Sequence, residues 1–152
     1  MSYEQLKLNN QLCFPLYAAS RLVTREYQPF LDKLGITYPQ YLVLLVLWES
    51  DHQTVNDISK KLILNTNTVT PLLKRMETQG LISRIRSEKD ERKVEIALTP
   101  KGKALESEAA AIPGQLSEGL MSSTMSRDEL IDLKSKLHLI IDFLNLKEEQ
   151  SV

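Results

Sequence analysis

The sequence predicts a mostly α-helical protein that carries one small β-hairpin, because two patterns divide the chain between them. Apolar residues recur at steps of three and four through most of the 152 residues, as in amphipathic helices. Only two short segments alternate apolar and polar residues, as strands do. With 42% hydrophobic and 26% charged residues the composition is that of a globular protein, and the length fits a single domain over residues 1–152.

The first predicted helix runs from about Asn10 to Leu34 and ends at Gly35. Pro15 is unfavourable in a helix interior because proline lacks a backbone N–H. Either the helix begins near Leu12, which places Pro15 in its first turn, or the segment bends beside Cys13.

A second helix is predicted by a capping-box pattern at Thr37, Pro39 and Gln40. The run from Tyr41 to Trp48 behind it is nearly all apolar, so this helix should be buried, with Trp48 in the core.

Two shorter helices follow, and the tight turn between them makes a helix-turn-helix candidate. The first begins at Thr54 and turns Ile58 inward. The second runs from Thr66 to a stop at Gly80, and its apolar face comprises Val69, Leu72, Leu73 and Met76.

The alternating segments, residues 81–86 and 93–98, read as two paired strands. Their connection, residues 87–92, is wholly polar and should project from the body. A further helix begins at Thr99-Pro100 and runs to about Ile112, where Pro113-Gly114 breaks or bends it. A second capping box at residues 126–129 opens a last helix with Leu130, Leu133, Leu137, Ile140, Ile141 and Leu144 on one face.

This order of elements is that of a winged helix-turn-helix with long helices added at both ends. We expect residues of about 37–100 to form a DNA-binding lobe. Helices within about 1–34 and 113–152 should pair two copies into a homodimer.

The charge distribution supports a nucleic-acid partner although the whole chain carries only −1. Between Lys60 and Lys103, eleven Lys and Arg face five Asp and Glu, a local net charge of +6 that leaves −7 for the rest. Threonine and amide groups on the second short helix can touch base edges, and cations can meet phosphates. Arg92 at the hairpin tip suits a narrow minor groove, and Asp90 would orient it. The predicted DNA-binding residues are Thr66, Asn67, Thr68, Thr70, Lys74, Arg75, Arg84, Arg86, Asp90, Arg92 and Lys93.

Cys13 is the only cysteine, so no disulfide can form within the chain. Its thiol is either an inert apolar filler or a reactive group whose oxidised partner comes from elsewhere. The sequence has no apolar run of membrane-spanning length and begins without a signal-like segment, so we expect a cytoplasmic protein. His52 and His138 lack a ligand-like pattern, and neither a metal nor another cofactor is predicted.

Two groups of motifs resemble a known family. The segments that resemble the MarR family of dimeric repressors are 90–94, 98–102, 70–77 and 80–82. The segments that are similar to its organic hydroperoxide resistance regulators are 11–14 and 36–41, together with Tyr17 and Tyr27.

The resemblance implies a repressor that binds promoter DNA while Cys13 is reduced and releases it after oxidation by an organic hydroperoxide. The resemblance also implies that phenol groups matching Tyr27 and Tyr38 lie near the thiolate, and Tyr17 is a further match. Phenol donors stabilise a thiolate. With one cysteine, the oxidised form would be completed as a mixed disulfide with a small thiol.

Two other functions remain open on the sequence. One is a related repressor that responds to a small aromatic ligand, with Cys13 merely packed. A thiol peroxidase is disfavoured because the chain has neither a resolving cysteine nor a catalytic His or Arg constellation, so we expect no enzyme.

Overall fold

The computed structural model describes residues 3–123 and 125–149 and has the predicted fold class. Two 3-10 turns, Glu4–Leu6 and Leu8–Asn10, precede these elements: α1 Cys13–Leu34, α2 Tyr38–Glu49, β1 Gln53–Thr54, α3 Val55–Leu62, α4 Thr66–Thr78, β2 Ile82–Arg86, β3 Val94–Leu98, α5 Pro100–Ala109, α6 Ile112–Ser123 and α7 Arg127–Glu149. They fall into two compact units, one reaching Ile112 and one starting at Pro113. Within the described ranges no single helix could span a membrane, while the bent pair α1 and α2 meets that test by length and composition alone.

Helix α1 begins at Cys13 and ends where Gly35 adopts a left-handed conformation with φ of 68°. Pro15 therefore lies in the first turn, whose N–H groups have no helical partners, and proline is tolerated there. The helix starts three residues later than predicted because Leu8–Asn10 forms a separate 3-10 turn.

Helix α2 begins with the predicted capping box, in which the Gln40 side-chain oxygen accepts the Thr37 N–H at 3.0 Å. Most of its apolar run is buried as predicted, and Leu44 is completely enclosed, whereas Leu45 is 39% exposed. Trp48 is only half-buried, so the prediction that it lies in the core is only partly correct. Its indole N–H donates to the Gly102 carbonyl at 3.0 Å, which ties the end of α2 to the first turn of α5.

Gly102 lies where α5 passes closest to the chain entering β2. A Cβ atom at this position would stand 2.1 Å from the Leu81 carbonyl oxygen. Thr99 holds the approach in place: its hydroxyl accepts the Gly102 N–H at 3.1 Å and donates to the Gly80 carbonyl at 2.6 Å. A residue without a side chain is required here.

Helices α3 and α4 form the predicted helix-turn-helix. The Thr54 hydroxyl caps α3 by accepting the Asp57 N–H at 3.1 Å, and the Asn65 side chain caps α4 by accepting the Asn67 N–H at 2.8 Å. The predicted inward face is confirmed, because Ile58 of α3 and four apolar residues of α4 are all buried: Val69, Leu72, Leu73 and Met76.

The turn between these helices passes through Ile63, which is left-handed with φ of 54°. A β-branched side chain rarely adopts this conformation because its Cβ crowds the backbone. Ile63 is 51% exposed, so burial of its own side chain gives little compensation.

The two predicted strands pair antiparallel as β2 and β3, with Arg84 opposite Ile96. The sequence analysis missed a third strand, β1, which pairs along the other edge of β3 with Gln53 opposite Ile96. Two residues are too few to show an alternating pattern.

Asp51 anchors the base of this sheet. Its Oδ1 accepts the Leu98 N–H at 2.8 Å and the His52 N–H at 2.9 Å, and its Oδ2 lies 3.4 Å from the Lys103 ammonium. Burial raises the pKa of Asp51, but the two N–H donors, the ammonium and His52 together hold that pKa below its usual value.

Helix α5 ends at Ala109, and α6 begins at Ile112. The predicted break is present, but it lies at residues 110–111. Its attribution to Pro113-Gly114 is wrong, because both residues lie in the first turn of α6. Proline suits the first positions of a helix, where its missing N–H costs no hydrogen bond.

Helix α7 of the second unit begins with the second predicted capping box. The Ser126 N–H donates to Glu129 Oε2 at 2.8 Å, and the Glu129 N–H donates to Ser126 Oγ at 3.3 Å. Large apolar side chains are exposed along the helix, with Phe143 67% and Leu139 70% exposed.

Candidate functional site

The first turn of α4 presents short polar side chains to solvent. Thr66, Asn67 and Thr68 are exposed, Thr70 is half-buried, and the exposed cations Lys74 and Arg75 follow along the helix. The helix buries its apolar face, so these groups occupy the side that remains open to a partner. The amino-terminal end of a helix also carries partial positive charge, which favours a phosphate there.

The loop between β2 and β3 is held by Asp90. Its side-chain oxygen accepts the Arg92 N–H at 3.1 Å, and its carbonyl accepts the Lys93 N–H at 2.9 Å. Asp90 thus orders the backbone that carries Arg92, whose side chain is exposed. This contact with the main chain is the way in which Asp90 positions the arginine.

A groove of about 300 Å³ joins the loop to the helix-turn-helix. It brings together five of the predicted DNA-binding residues, and it adds neighbours from β1 and the start of α3 that the sequence analysis did not select. The lining residues are Thr54, Val55, Asn56, Thr66, Thr70, Arg84, Arg92, Lys93 and Val94. The cap at Thr54 was an available signal for that residue alone, since capping residues lie at an exposed helix end.

Arg84 is the least available of the predicted cations. Its side chain is 21% exposed and its guanidinium lies 3.7 Å from the Glu77 carboxylate. Its Nε is buried without a hydrogen-bond partner, although the side chain lines the groove. Arg86, at the end of β2, is exposed.

Cys13 occupies the first position of α1, and its side chain is exposed. It is therefore not a core residue of its own chain. Tyr17 follows one turn later, is 61% exposed, and has the Arg21 guanidinium 5.0 Å from its ring centre.

Tyr27 and Tyr38 lie together in an aromatic cluster that also includes Tyr41 and Trp48. The ring centres of Tyr27 and Tyr38 are 4.9 Å apart, those of Tyr27 and Tyr41 are 5.7 Å apart, and those of Tyr41 and Trp48 are 6.3 Å apart. Burial raises the pKa of Tyr27, and the neighbouring Tyr38 raises it further. Burial also raises the pKa of Tyr38. Both phenols therefore stay protonated at neutral pH and remain hydrogen-bond donors.

The structure does not bring Cys13 and these two phenols together within one chain. Cys13 and Tyr27 belong to the same continuous helix, fourteen positions apart. At 1.5 Å per residue their Cα atoms are separated by about 21 Å. In the described part of the chain, no three His, Cys, Asp or Glu side chains are grouped to hold a metal.

Comparison with known proteins shows similarity to transcriptional regulators. A family model described as transcriptional regulator SarA/Rot matches residues 25–108. The organic hydroperoxide resistance transcriptional regulator of Bacillus subtilis (strain 168) is 51% identical over 145 residues, covering 95% of this chain and 97% of that protein.

Two solved structures of AbfR from Staphylococcus epidermidis, each 40% identical, cover 95% of this chain and 99% of theirs. Reduced AbfR bound to DNA has a TM-score of 0.78, and overoxidized AbfR bound to DNA has a TM-score of 0.71. The relatives that share this fold at these identities and coverages are transcriptional regulators and not enzymes. The chain belongs to the MarR family of transcriptional regulators, in its branch of organic hydroperoxide resistance regulators.

Proposed function

We propose that this chain is a cytoplasmic, homodimeric repressor that binds promoter DNA while Cys13 is reduced and releases it when an organic hydroperoxide oxidises Cys13. The observation that carries the proposal is the exposed thiol at the start of α1 in a chain whose helix-turn-helix is open to a partner. The Bacillus subtilis relative is named for organic hydroperoxide resistance, and AbfR is described on DNA in its reduced form, which supports it.

The dimer in this proposal is formed by helices within residues 1–34 and 113–152, and residues 37–100 bind DNA. Apolar side chains at the start of α1 and along α7 are exposed in a single chain, including Leu12 and Phe143. Patches of this kind mark protein contacts. The separation of about 21 Å along α1 adds a second reason, because Cys13 can meet Tyr27 and Tyr38 only if a second copy supplies them.

The DNA complex in this proposal places α4 of each copy in the major groove, with half-sites spaced by about 34 Å, one helical turn of DNA. Arg92 at the loop tip enters the adjacent minor groove. Lys74 and Arg75 meet phosphates, which fix the position of the protein without reading sequence.

The redox step conserves atoms and electrons in two reactions. The Cys13 thiolate attacks one oxygen of the hydroperoxide, the O–O bond breaks, sulfur is oxidised to a sulfenic acid, and the other oxygen leaves as an alcohol after taking a proton. A small thiol then attacks the sulfenic sulfur, forms a mixed disulfide, and the hydroxyl leaves as water. Tyr27 and Tyr38 serve as O–H donors to the thiolate before the reaction, with Tyr17 nearby.

The mixed disulfide is the releasing form in this proposal. AbfR is described as bound to DNA while overoxidized, so added oxygen atoms are compatible with DNA in that relative. A thiol adduct is much larger and would separate α1 from the surface that covers it, which alters the spacing of the two α4 helices.

Replacing Cys13 with serine tests the proposal directly. Wild-type protein on promoter DNA should lose affinity by at least about fivefold after an organic hydroperoxide and a small thiol are added together, since coupling energies are about 1–3 kcal/mol. Cys13→Ser should bind the untreated DNA equally and show no loss. Fluorescence anisotropy with labelled DNA measures both, and mass spectrometry checks for the thiol adduct. Equal release by the serine variant would exclude Cys13 as the sensor.

Replacing Arg92 with alanine tests the minor-groove contact. Arg92→Ala should weaken binding by about 1–2 kcal/mol on DNA with A·T-rich flanks, where the groove is narrow, and less on G·C-rich flanks. Lys89→Ala removes the same charge from the same loop and serves as the matched control. A loss for Arg92→Ala that is independent of flanking sequence would contradict the minor-groove role.

A further inference from the structure

Gln40 is a buried polar side chain of the first unit whose oxygen and nitrogen are both hydrogen-bonded. It lies in the first turn of α2 and is 3% exposed. Its side-chain oxygen accepts the Thr37 N–H at 3.0 Å, and its side-chain amide donates to Gln79 Oε1 at 2.8 Å. A buried amide is tolerated only when its polar atoms are hydrogen-bonded, so both partners matter.

The second hydrogen bond is not needed for capping. A capping box works with either Glu or Gln at this position, and a negative charge suits a helix amino terminus better than a neutral amide. Glutamine differs from glutamate by having an N–H donor, and here that donor is directed at Gln79. The contact between the two glutamines therefore explains a choice that the cap leaves open.

Gln79 is the C-cap residue, directly after the last residue of α4. Its N–H donates to the Arg75 carbonyl at 3.0 Å, and its own carbonyl accepts the Lys101 ammonium at 2.9 Å. The end of α4 is thus held from two sides, by Gln40 of α2 and by Lys101 of α5. A shift of either neighbour moves the helix that carries the exposed DNA-facing groups.

The other end of this connection is the tyrosine cluster. Tyr38 is the first residue of α2, two positions before Gln40, and its ring lies 4.9 Å from that of Tyr27. A displacement of Tyr38 moves the first helical turn and with it the Gln40 side chain. One hydrogen bond then joins the predicted sensing phenols to the carboxyl end of α4.

We propose that Gln40 is a positioning residue which, through its hydrogen bond to Gln79, transmits the state of the Tyr27 and Tyr38 site to α4. This inference rests on the proposed function, because it needs a redox change at Cys13 to be felt by the phenols. Its measurable content is the ratio of promoter affinities of the reduced and the oxidised protein, which a merely structural hydrogen bond would leave unchanged.

The test uses the exposed partner, Gln79, so that the core is left intact. Gln79→Leu removes the acceptor for Gln40, and Gln79→Glu retains it. We expect Gln79→Leu to lower the affinity ratio about 3- to 10-fold, the usual range for residues along a coupling route, and Gln79→Glu to keep nearly the wild-type ratio. The rate of Cys13 oxidation, followed by thiol titration, should be the same in both variants.

A double-mutant cycle completes the design. Gln40→Met removes the donor, so it should lower the ratio as Gln79→Leu does, and the double variant should show no further loss of the ratio. An unchanged ratio in Gln79→Leu, or an equal loss in Gln79→Glu, would overturn the inference while a switching wild type upholds the proposed function. A wild type whose affinity does not respond to oxidation overturns both.

Discussion

Gly102→Ala is expected to destabilise the protein by about 3 kcal/mol, because an added methyl group cannot fit beside the backbone of residue 81. The new Cβ would lie 2.1 Å from the Leu81 carbonyl oxygen, and a main-chain atom cannot rotate away as a flexible side chain can. Helix α5 would have to withdraw, which strains the Trp48 hydrogen bond to Gly102 and the cap at Thr99. For a chain of this length the melting temperature should fall by roughly 10 °C.

Thermal unfolding at a fixed protein concentration measures the effect, since dimerisation makes melting temperatures depend on concentration. Gly114→Ala is the matched control, because a Cβ at this position in the first turn of α6 meets nothing within 4 Å. It should leave the melting temperature unchanged or raise it, as alanine favours helix over glycine by up to about 1 kcal/mol. Equal melting temperatures for Gly102→Ala and wild type would contradict the close approach.

Asp51→Ala is expected to cost about 2–3 kcal/mol at neutral pH. The substitution leaves the Leu98 and His52 N–H groups without their acceptor and removes the ion pair with Lys103. Asp51→Asn keeps one acceptor oxygen and should cost less. Urea unfolding of the three proteins measures the differences, and an alanine variant as stable as wild type would show that Asp51 does not anchor the sheet.

The contribution of Asp51 should also depend on pH in a defined direction. Its folded-state pKa lies below the value of the unfolded chain, which is about 3.9, so the folded state favours the ionised carboxylate. The stabilisation is therefore complete well above pH 4 and is lost as the pH falls through 4 and below. The stability difference between wild type and Asp51→Ala should shrink over that range. A difference that persists unchanged to pH 2.5 would mean that ionisation of Asp51 is not involved.

Most helices were predictable because their ends carry local chemical signals. Thr37, Thr54 and Ser126 cap helices in the structure, and Gly35 and Gly80 end them in left-handed conformations. Where the signal was ambiguous the prediction failed: Pro113 suits both a helix break and a helix start, and only tertiary packing decides between them. Strand β1 had no signal, since two residues show no period.

The candidate site was likewise only partly predictable from the sequence. Exposed groups on α4 and the loop could be selected from composition and helical periodicity, because solvent-facing cations and threonines show in the sequence. The position of Asn56 in the groove could not be predicted from the sequence, because it depends on the angle between α3 and the strands. Likewise, the hydrogen bond between Gln40 and Gln79 joins residues 39 positions apart, and no local pattern reports such a pair.

The left-handed conformation of Ile63 lowers the stability of this chain. A left-handed β-branched residue costs about 1–2 kcal/mol, and glycine or asparagine would relieve most of it. The strain lies in the turn that sets the angle between α3 and α4, at the centre of the DNA-binding element. Conformations of this kind persist at working parts of proteins, where the surrounding structure imposes them. A substitution that relaxes this turn would therefore raise the stability of the fold, but it would hold the angle between α3 and α4 less tightly.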